Sequence, residues 1–149
     1  MTDVILLDFD GTITKKDTTK ALLTALLILR PWRIFGLAWF VFNMIRSSHS
    51  VAQQEYKNKA IGYLIIGITD SHMQLALSLF RDKVRELYRP EMLKKIKEAS
   101  QNGISVLIVT ASPTFAVSKC VAGLPVTVIG TEFKKSGAFY CGQVKGLNC

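Results

Sequence analysis

Two aspartates one residue apart, Asp8 and Asp10, follow the apolar run Val4-Ile5-Leu6-Leu7 and precede Gly11 and Thr12. In extended chain, residues i and i+2 face the same way, so this spacing brings both carboxylates onto one site. Close carboxylates repel, and the usual remedies are a hard divalent cation or a raised pKa on one of the pair. The first remedy builds a metal-assisted site and the second a general acid. An EF-hand loop is excluded, because Thr12 and Ile13 stand where that loop needs a third oxygen ligand and a glycine.

The position of the pair matters more than its letters. Val4 to Leu7 reads as a strand buried on both faces of a parallel sheet, and in such sheets ligands bind beyond the carboxyl ends of the strands. Gly11 turns the chain, and Asp17, Thr18 or Thr19 can cap a helix beginning near Lys20 that Pro31 stops before a second apolar helix. After a polar stretch, Ser47 to Ser50, comes an apolar patch of open type bracketed by Gly62 and Gly67. From Asp70 and Ser71 onward, Met73, Leu77, Phe80, Val84 and Leu87 share one helical face. A further helix runs from Pro90 to Gly103, and Ser105 to Val109 reads as a second buried strand.

Strand, helices and strand again imply a right-handed crossover between parallel strands. The block between them is too long for one crossover helix, so it reads as an inserted helical cap. After the second strand, Ser112 is expected to cap a short helix with Pro113 at its first position. Val126 to Ile129 reads as a third strand, while Glu132 to Phe133 and Phe139 to Val144 form a hairpin through Ser136-Gly137. The expected fold class is therefore α/β: a Rossmann-like parallel core made of residues 1–19 and 90–149, a helical cap over residues 20–89, and a β-hairpin.

The chain of 149 residues is 49% hydrophobic and carries a formal net charge of +8, which excludes disorder and suffices for one core. Cys120, Cys141 and Cys149 form no CxxC pair and read as small apolar fillers in a reducing cytoplasm. Between Asp17 and Glu55 there is no acidic residue, whereas Lys20, Arg30, Arg33 and Arg46 punctuate long apolar runs. The stretch from Ala21 to Ile45 is split by Arg30-Pro31-Trp32-Arg33, and neither half reaches the roughly 20 apolar residues of a spanning helix. It is not a signal peptide, since it follows a charged, strand-like start. What remains is a helical hairpin, buried or lying on a membrane. A nucleic-acid partner is not expected, because no basic stretch is interleaved with aromatics in a known motif.

Asp8-Phe9-Asp10-Gly11-Thr12 at the end of a first strand, with Thr110 ending the next, resembles the first two motifs of the haloacid dehalogenase superfamily of phosphohydrolases. Thr110-Ala111-Ser112 and the long helical insertion are similar to the phosphoserine-phosphatase-like subclass, and Gly146-Leu147-Asn148-Cys149 resembles the segment before that subclass's third-motif lysine. Lys145 precedes this segment and does not fill the lysine's place. On this resemblance the third and fourth motifs should lie beyond residue 149, the chain should be a fragment or truncation, and the first strand should present an unpaired edge.

The resemblance implies a phosphomonoesterase that acts on a small phosphorylated metabolite, with Asp8 as nucleophile and Asp10 as general acid and base. It implies Mg²⁺ held by the Asp8 side chain and the Asp10 backbone carbonyl. Thr110 and Ser112 would bind phosphate oxygens, assisted by backbone amides at Phe9 and Ala111, and Asp17 would face the substrate. The rival reading is a noncatalytic or membrane-associated module, and a lipid-linked phosphate substrate would combine the two. The expected location is the cytoplasm, with peripheral membrane contact through the apolar, basic cap as the variant.

Overall fold

The computed structural model describes residues 3–47 and 49–146. Strand β1 (Val4–Leu7) leads through a tight turn (Phe9–Ile13) into helix α1 (Thr19–Leu29), and a 3-10 turn (Pro31–Arg33) leads into α2 (Ile34–Arg46). Helices α3 (Ser50–Ile65), α4 (Asp70–Arg85) and α5 (Pro90–Gln101) precede β2 (Ser105–Pro113). Helix α6 (Thr114–Cys120), β3 (Val126–Thr131) and the hairpin β4 (Phe133–Ser136) with β5 (Phe139–Val144) complete the chain. The sheet has the order β1-β2-β3 and is parallel throughout, with Leu7 opposite Ile108 and Ile108 opposite Val128. The architecture is the expected α/β class with a separate antiparallel hairpin. Leu147, Asn148 and Cys149 of the motif-like ending lie outside the described residues.

Two expectations are corrected and one open reading is resolved. First, β1 is not buried on both faces, since Val4 is 56% and Leu6 65% exposed. It is the edge strand, paired among the described residues only with β2, and an unbroken apolar run cannot reveal whether both its faces are covered. Second, the open-type apolar patch belongs to a helix: α3 runs through Gly62 and ends at Ile65, burying Ala60, Ile61, Leu64 and Ile65. Third, β2 continues past Val109 to Pro113, which pairs with Thr131 after an irregularity in register, so α6 starts at Thr114 with Pro113 rather than Ser112 in the capping position.

Apolar spacing drives the packing. Met73, Ala76, Leu77, Phe80 and Val84 line one buried face of α4, which packs against α1, while α2 packs against α3. Thr69 caps α4 by accepting from the His72 amide. The hairpin is tied to the insertion through the linker between α3 and α4: the Gly67 amide donates to the Tyr140 carbonyl at 2.8 Å and the Tyr140 amide to Ile68 at 3.1 Å. Phe115 of α6 meets Phe133 and Tyr140 edge-on, at centroid distances of 5.9 and 5.6 Å.

At the centre of this contact α3 and β5 cross glycine to glycine. A Cβ on Gly62 would lie 2.0 Å from the Gly142 carbonyl oxygen, and Gly142 itself has φ +73°. Because the obstacle is backbone, no side-chain rotation relieves it. Gly62→Ala is therefore expected to destabilise the fold by about 1–3 kcal/mol through forced separation of the hairpin from α3, although alanine favours helix. Urea denaturation checks this, and a stabilised Gly62→Ala chain would show that the crossing is not tight.

Candidate active site

The loop after β1 is shaped by its own backbone. Asp8 occupies the capping position of the Phe9–Ile13 turn, and one of its carboxylate oxygens accepts from the Phe9 amide at 2.7 Å. Gly11 sits at φ +82°, a conformation costly for other residues, and permits the chain to reverse. Phe9 and Ile13 are fully buried and anchor the turn from below. The Thr14 amide donates to the Phe9 carbonyl at 3.1 Å, and the Lys15 and Arg89 amides bind Leu87 and Ile13 carbonyls at 2.8 and 2.9 Å. The loop is thereby laced to the segment between α4 and α5.

Asp10 is held from two sides. One carboxylate oxygen accepts from both the Thr18 amide at 2.7 Å and the Thr18 hydroxyl at 2.8 Å. The other accepts from the Ser112 hydroxyl at 2.5 Å, across 102 residues of sequence. Such charge-assisted bonds are short and strong. Thr110 and Ser112 are both buried, and the Thr110 hydroxyl oxygen accepts from the Ser112 amide at 3.1 Å. The ends of β1 and β2 and the start of α1 thus converge on a single carboxylate.

The Ala111 carbonyl accepts from the Thr131 hydroxyl at 2.9 Å and the Gln54 amide at 3.1 Å. Gln54 also donates to Asn58 at 3.2 Å, and the buried Asn58 Nδ2 has no partner among the described residues. Asp17 lies on the same side, where its carboxylate accepts from the Thr19 amide at 2.6 Å and pairs with Lys57 at 3.2 Å. Partial burial pushes the Asp17 carboxyl up, but the Thr19 hydrogen bonds and the Lys57 ammonium outweigh it and hold the group below its ordinary value. Burial pushes the Cys120 thiol up to about 12, which makes it an inert filler.

No group of three or more His, Cys, Asp or Glu side chains gathers among the described residues. The oxygen-only donors at Asp8 and Asp10 nevertheless fit Mg²⁺, a hard cation usually held by one or two carboxylates together with waters and substrate phosphate. A groove of about 510 Å³ runs between α1 and α2. Its floor is Leu23, Leu27, Leu37, Val41 and Met44, and Asp17 and Lys57 stand at its polar end.

A family model for haloacid dehalogenase-like hydrolases matches residues 5–149. The chain belongs to that family. No curated protein matches its sequence. A solved protein of unknown function from Bordetella pertussis Tohama I is 18% identical with a TM-score of 0.77, covering 99% of this chain and 69% of its own. A phospho-aspartyl intermediate analogue of phosphoserine phosphatase is 15% identical with a TM-score of 0.59, covering 97% of this chain and 63% of that one. A probable phosphoserine phosphatase from Vibrio cholerae is 14% identical with a TM-score of 0.69, and this chain spans 42% of its length.

Within this haloacid dehalogenase-like frame the structure brings Asp8, Phe9, Asp10, Thr110, Ala111 and Ser112 to the ends of β1 and β2, and Asp17 to the rim. Ser112 does not cap α6, because its hydroxyl is spent on Asp10. Sequence reasoning missed Thr18, Gln54, Asn58 and Lys57. Thr18 had a visible signal, as a hydroxyl residue beside a predicted helix start. The other three sit on α3, within the expected helical cap but in a stretch to which the residues assign no helix of its own.

The Asp17–Lys57 tie carries a defined pH dependence. A carboxyl depressed in the folded state contributes stability that is present above its ordinary value of 3.8 and is lost as pH falls through the lower folded value. Asp17→Asn should therefore lower Tm at neutral pH, and the difference should shrink as pH drops below 3.8. An unchanged difference across calorimetric scans down to strong acid would show that the pair contributes nothing.

Proposed function

We propose that the chain carries residues of a Mg²⁺-dependent phosphomonoesterase site that works through an aspartyl-phosphate. The observation that carries the reading is the clamped Asp10 beside Asp8 at the strand ends. Asp8 has one oxygen fixed by the Phe9 amide, which leaves the other free to attack phosphorus. As the Asp8 oxygen–phosphorus bond forms, the bond from phosphorus to the alcohol oxygen breaks, and Asp10 delivers a proton to the departing alcohol. Water then attacks the phosphorus, Asp10 takes its proton, and the Asp8 carboxylate is released with phosphate. Water supplies every atom the second step needs.

Ser112 suits both halves of this cycle. The Ser112 hydroxyl sits 2.5 Å from an Asp10 carboxylate oxygen, and a hydroxyl rotor there can donate to a carboxylate or, when turned, accept from a carboxylic acid. The Thr110 oxygen already accepts from the Ser112 amide, so its own proton is available to a phosphate oxygen. Asp8 and the Asp10 carbonyl would hold Mg²⁺, which supplies neutralising charge to the phosphoryl group. We read residues 20–89 as the cap of this site, with residues 1–19 and 90–149 as its core, and Asp17 as a substrate-facing group.

The substrate class is a small phosphorylated metabolite. A phosphate monoester with an apolar tail is the second reading, favoured by the groove between α1 and α2, whose polar end at Asp17 adjoins the Thr18 bond to Asp10.

Turnover of p-nitrophenyl phosphate by the protein should require Mg²⁺. Asp8→Asn should remove it, Asp10→Asn should lower kcat by about 10²–10⁴-fold, and Ser112→Ala should alter the pH profile of kcat. Full turnover in Asp8→Asn would overturn the mechanism. For the tailed substrate, KM for alkyl phosphates should fall as the chain lengthens from butyl to decyl, and Leu37→Trp should abolish that trend. A KM independent of chain length leaves the soluble metabolites as the substrate class.

A further inference from the structure

Helix α2 is apolar all round yet fully buries only Leu37. Its inner face, with Gly36, Phe40 and Val41, packs on α3: Phe40 meets Tyr63 at 5.6 Å, and a Cβ on Gly36 would strike the Tyr63 ring. On its outer face Phe35, Trp39 and Phe42 recur at helical spacing and point to solvent, 84, 65 and 58% exposed, with Arg46 in line beyond them. Trp32 and Ile45 extend this face at 67 and 75% exposure. A patch of this kind signals an interaction surface.

The charge beside the patch selects its partner. Lys20, Arg30, Arg33 and Arg46 are the charged residues between Asp17 and Glu55, and none takes part in the ion pairs among the described residues. Arg30 donates to the Ile66 and Gly67 carbonyls at 2.7 and 2.9 Å, and Arg33 donates to Tyr63 and lies over its ring. These contacts fix the two guanidiniums at the turn between α1 and α2 without cancelling their charge. The stripe therefore runs from a pair of arginines to Arg46, with tryptophan at two of its five large apolar positions. Tryptophan favours the headgroup level of a bilayer, and each basic residue near an anionic surface adds attraction. No helix among the described residues is long and apolar enough to cross a membrane, so the patch can lie on a bilayer but not span it.

We infer that the outer face of α2, from Trp32 to Arg46, docks in the plane of an anionic lipid surface. The face is solvent-directed and belongs to α2, while the Asp8–Asp10 site is built by β1, α1 and β2, so docking uses none of the site's residues. The inference does not depend on the phosphatase reading.

Co-sedimentation of the full chain with vesicles of phosphatidylcholine alone, or with 30% phosphatidylglycerol, is the test, read together with tryptophan emission. Binding is expected to the anionic vesicles, with a blue shift in emission, and to fall at least tenfold when ionic strength rises from about 0.1 to 0.5 M, where charge attraction is screened. Trp39→Ser with Phe42→Ser should lose at least tenfold in partitioning, and so should Arg46→Glu, with unchanged far-ultraviolet circular dichroism and Tm. Equal recovery in the supernatant with and without phosphatidylglycerol would overturn the inference. So would sedimentation velocity showing a dimer that Trp39→Ser dissolves, since the face would then be covered by a second copy. Phosphatase assays play no part in either readout, so a failed catalytic reading leaves this result intact.

Discussion

Everything at the functional end of the molecule depends on how the Asp10 carboxylate is satisfied. Thr18 supplies two donors to one oxygen and Ser112 one donor to the other. A charged carboxylate among buried neighbours is costly unless so bonded, which makes each donor's position a condition of the others. Because the donors sit at the start of α1 and the end of β2, the clamp fixes where the helical insertion leaves the sheet. The bent, extended tail of β2 follows from the same demand: Ser112 must reach the β1 loop, and β2 stays in strand to Pro113 instead of yielding to α6 at Ser112.

The insertion is secured at a second, unrelated point. Gly62 and Gly142 let α3 and the hairpin approach at backbone distance, and the Gly67–Tyr140 ladder completes the junction. Two anchors, one polar at Asp10 and one steric at the glycine crossing, define the placement of α1 and α3 over the strand ends. Gln54, Lys57 and Asn58 on α3 reach the site for that reason, through Ala111 and Asp17.

Much of this was legible in the residues. The Asp8–Asp10 pair, the turn at Gly11, the helical face from Met73 to Val84 and the parallel strand at Ser105 follow from spacing and local preference, which act over a few residues. What was not legible acts across the fold. The solvent exposure of β1 depends on which strands flank it: the apolar run carries no record of its neighbours, and only the family resemblance implied the unpaired edge that the sheet order shows among the described residues. The helical state of the stretch around Gly62 was hidden because a mid-helix glycine reads as a breaker, whereas here its lack of a side chain is what tertiary contact requires. Ser112 followed by Pro113 has the local pattern of a helix cap, and a partner 102 residues away outweighed it.

The same contrast between local and distant demands explains the arginines of the insertion. By spacing alone, Arg30 and Arg33 are charges that interrupt an apolar run. In the fold they donate to carbonyls at the C-terminal end of α3, groups that a helix leaves without internal partners and where a cation is favoured. The turn between α1 and α2 is therefore held by bonds to α3 and draws nothing from the outer face of α2. The exposed aromatic residues can then be set for a partner at little cost to the inner packing, since Leu37, Phe40 and Tyr63 are already satisfied among themselves. The geometry of the Asp8–Asp10 site and the chemistry of the α2 surface are in that sense separable properties of one hairpin, joined only through the groove that lies between its two helices.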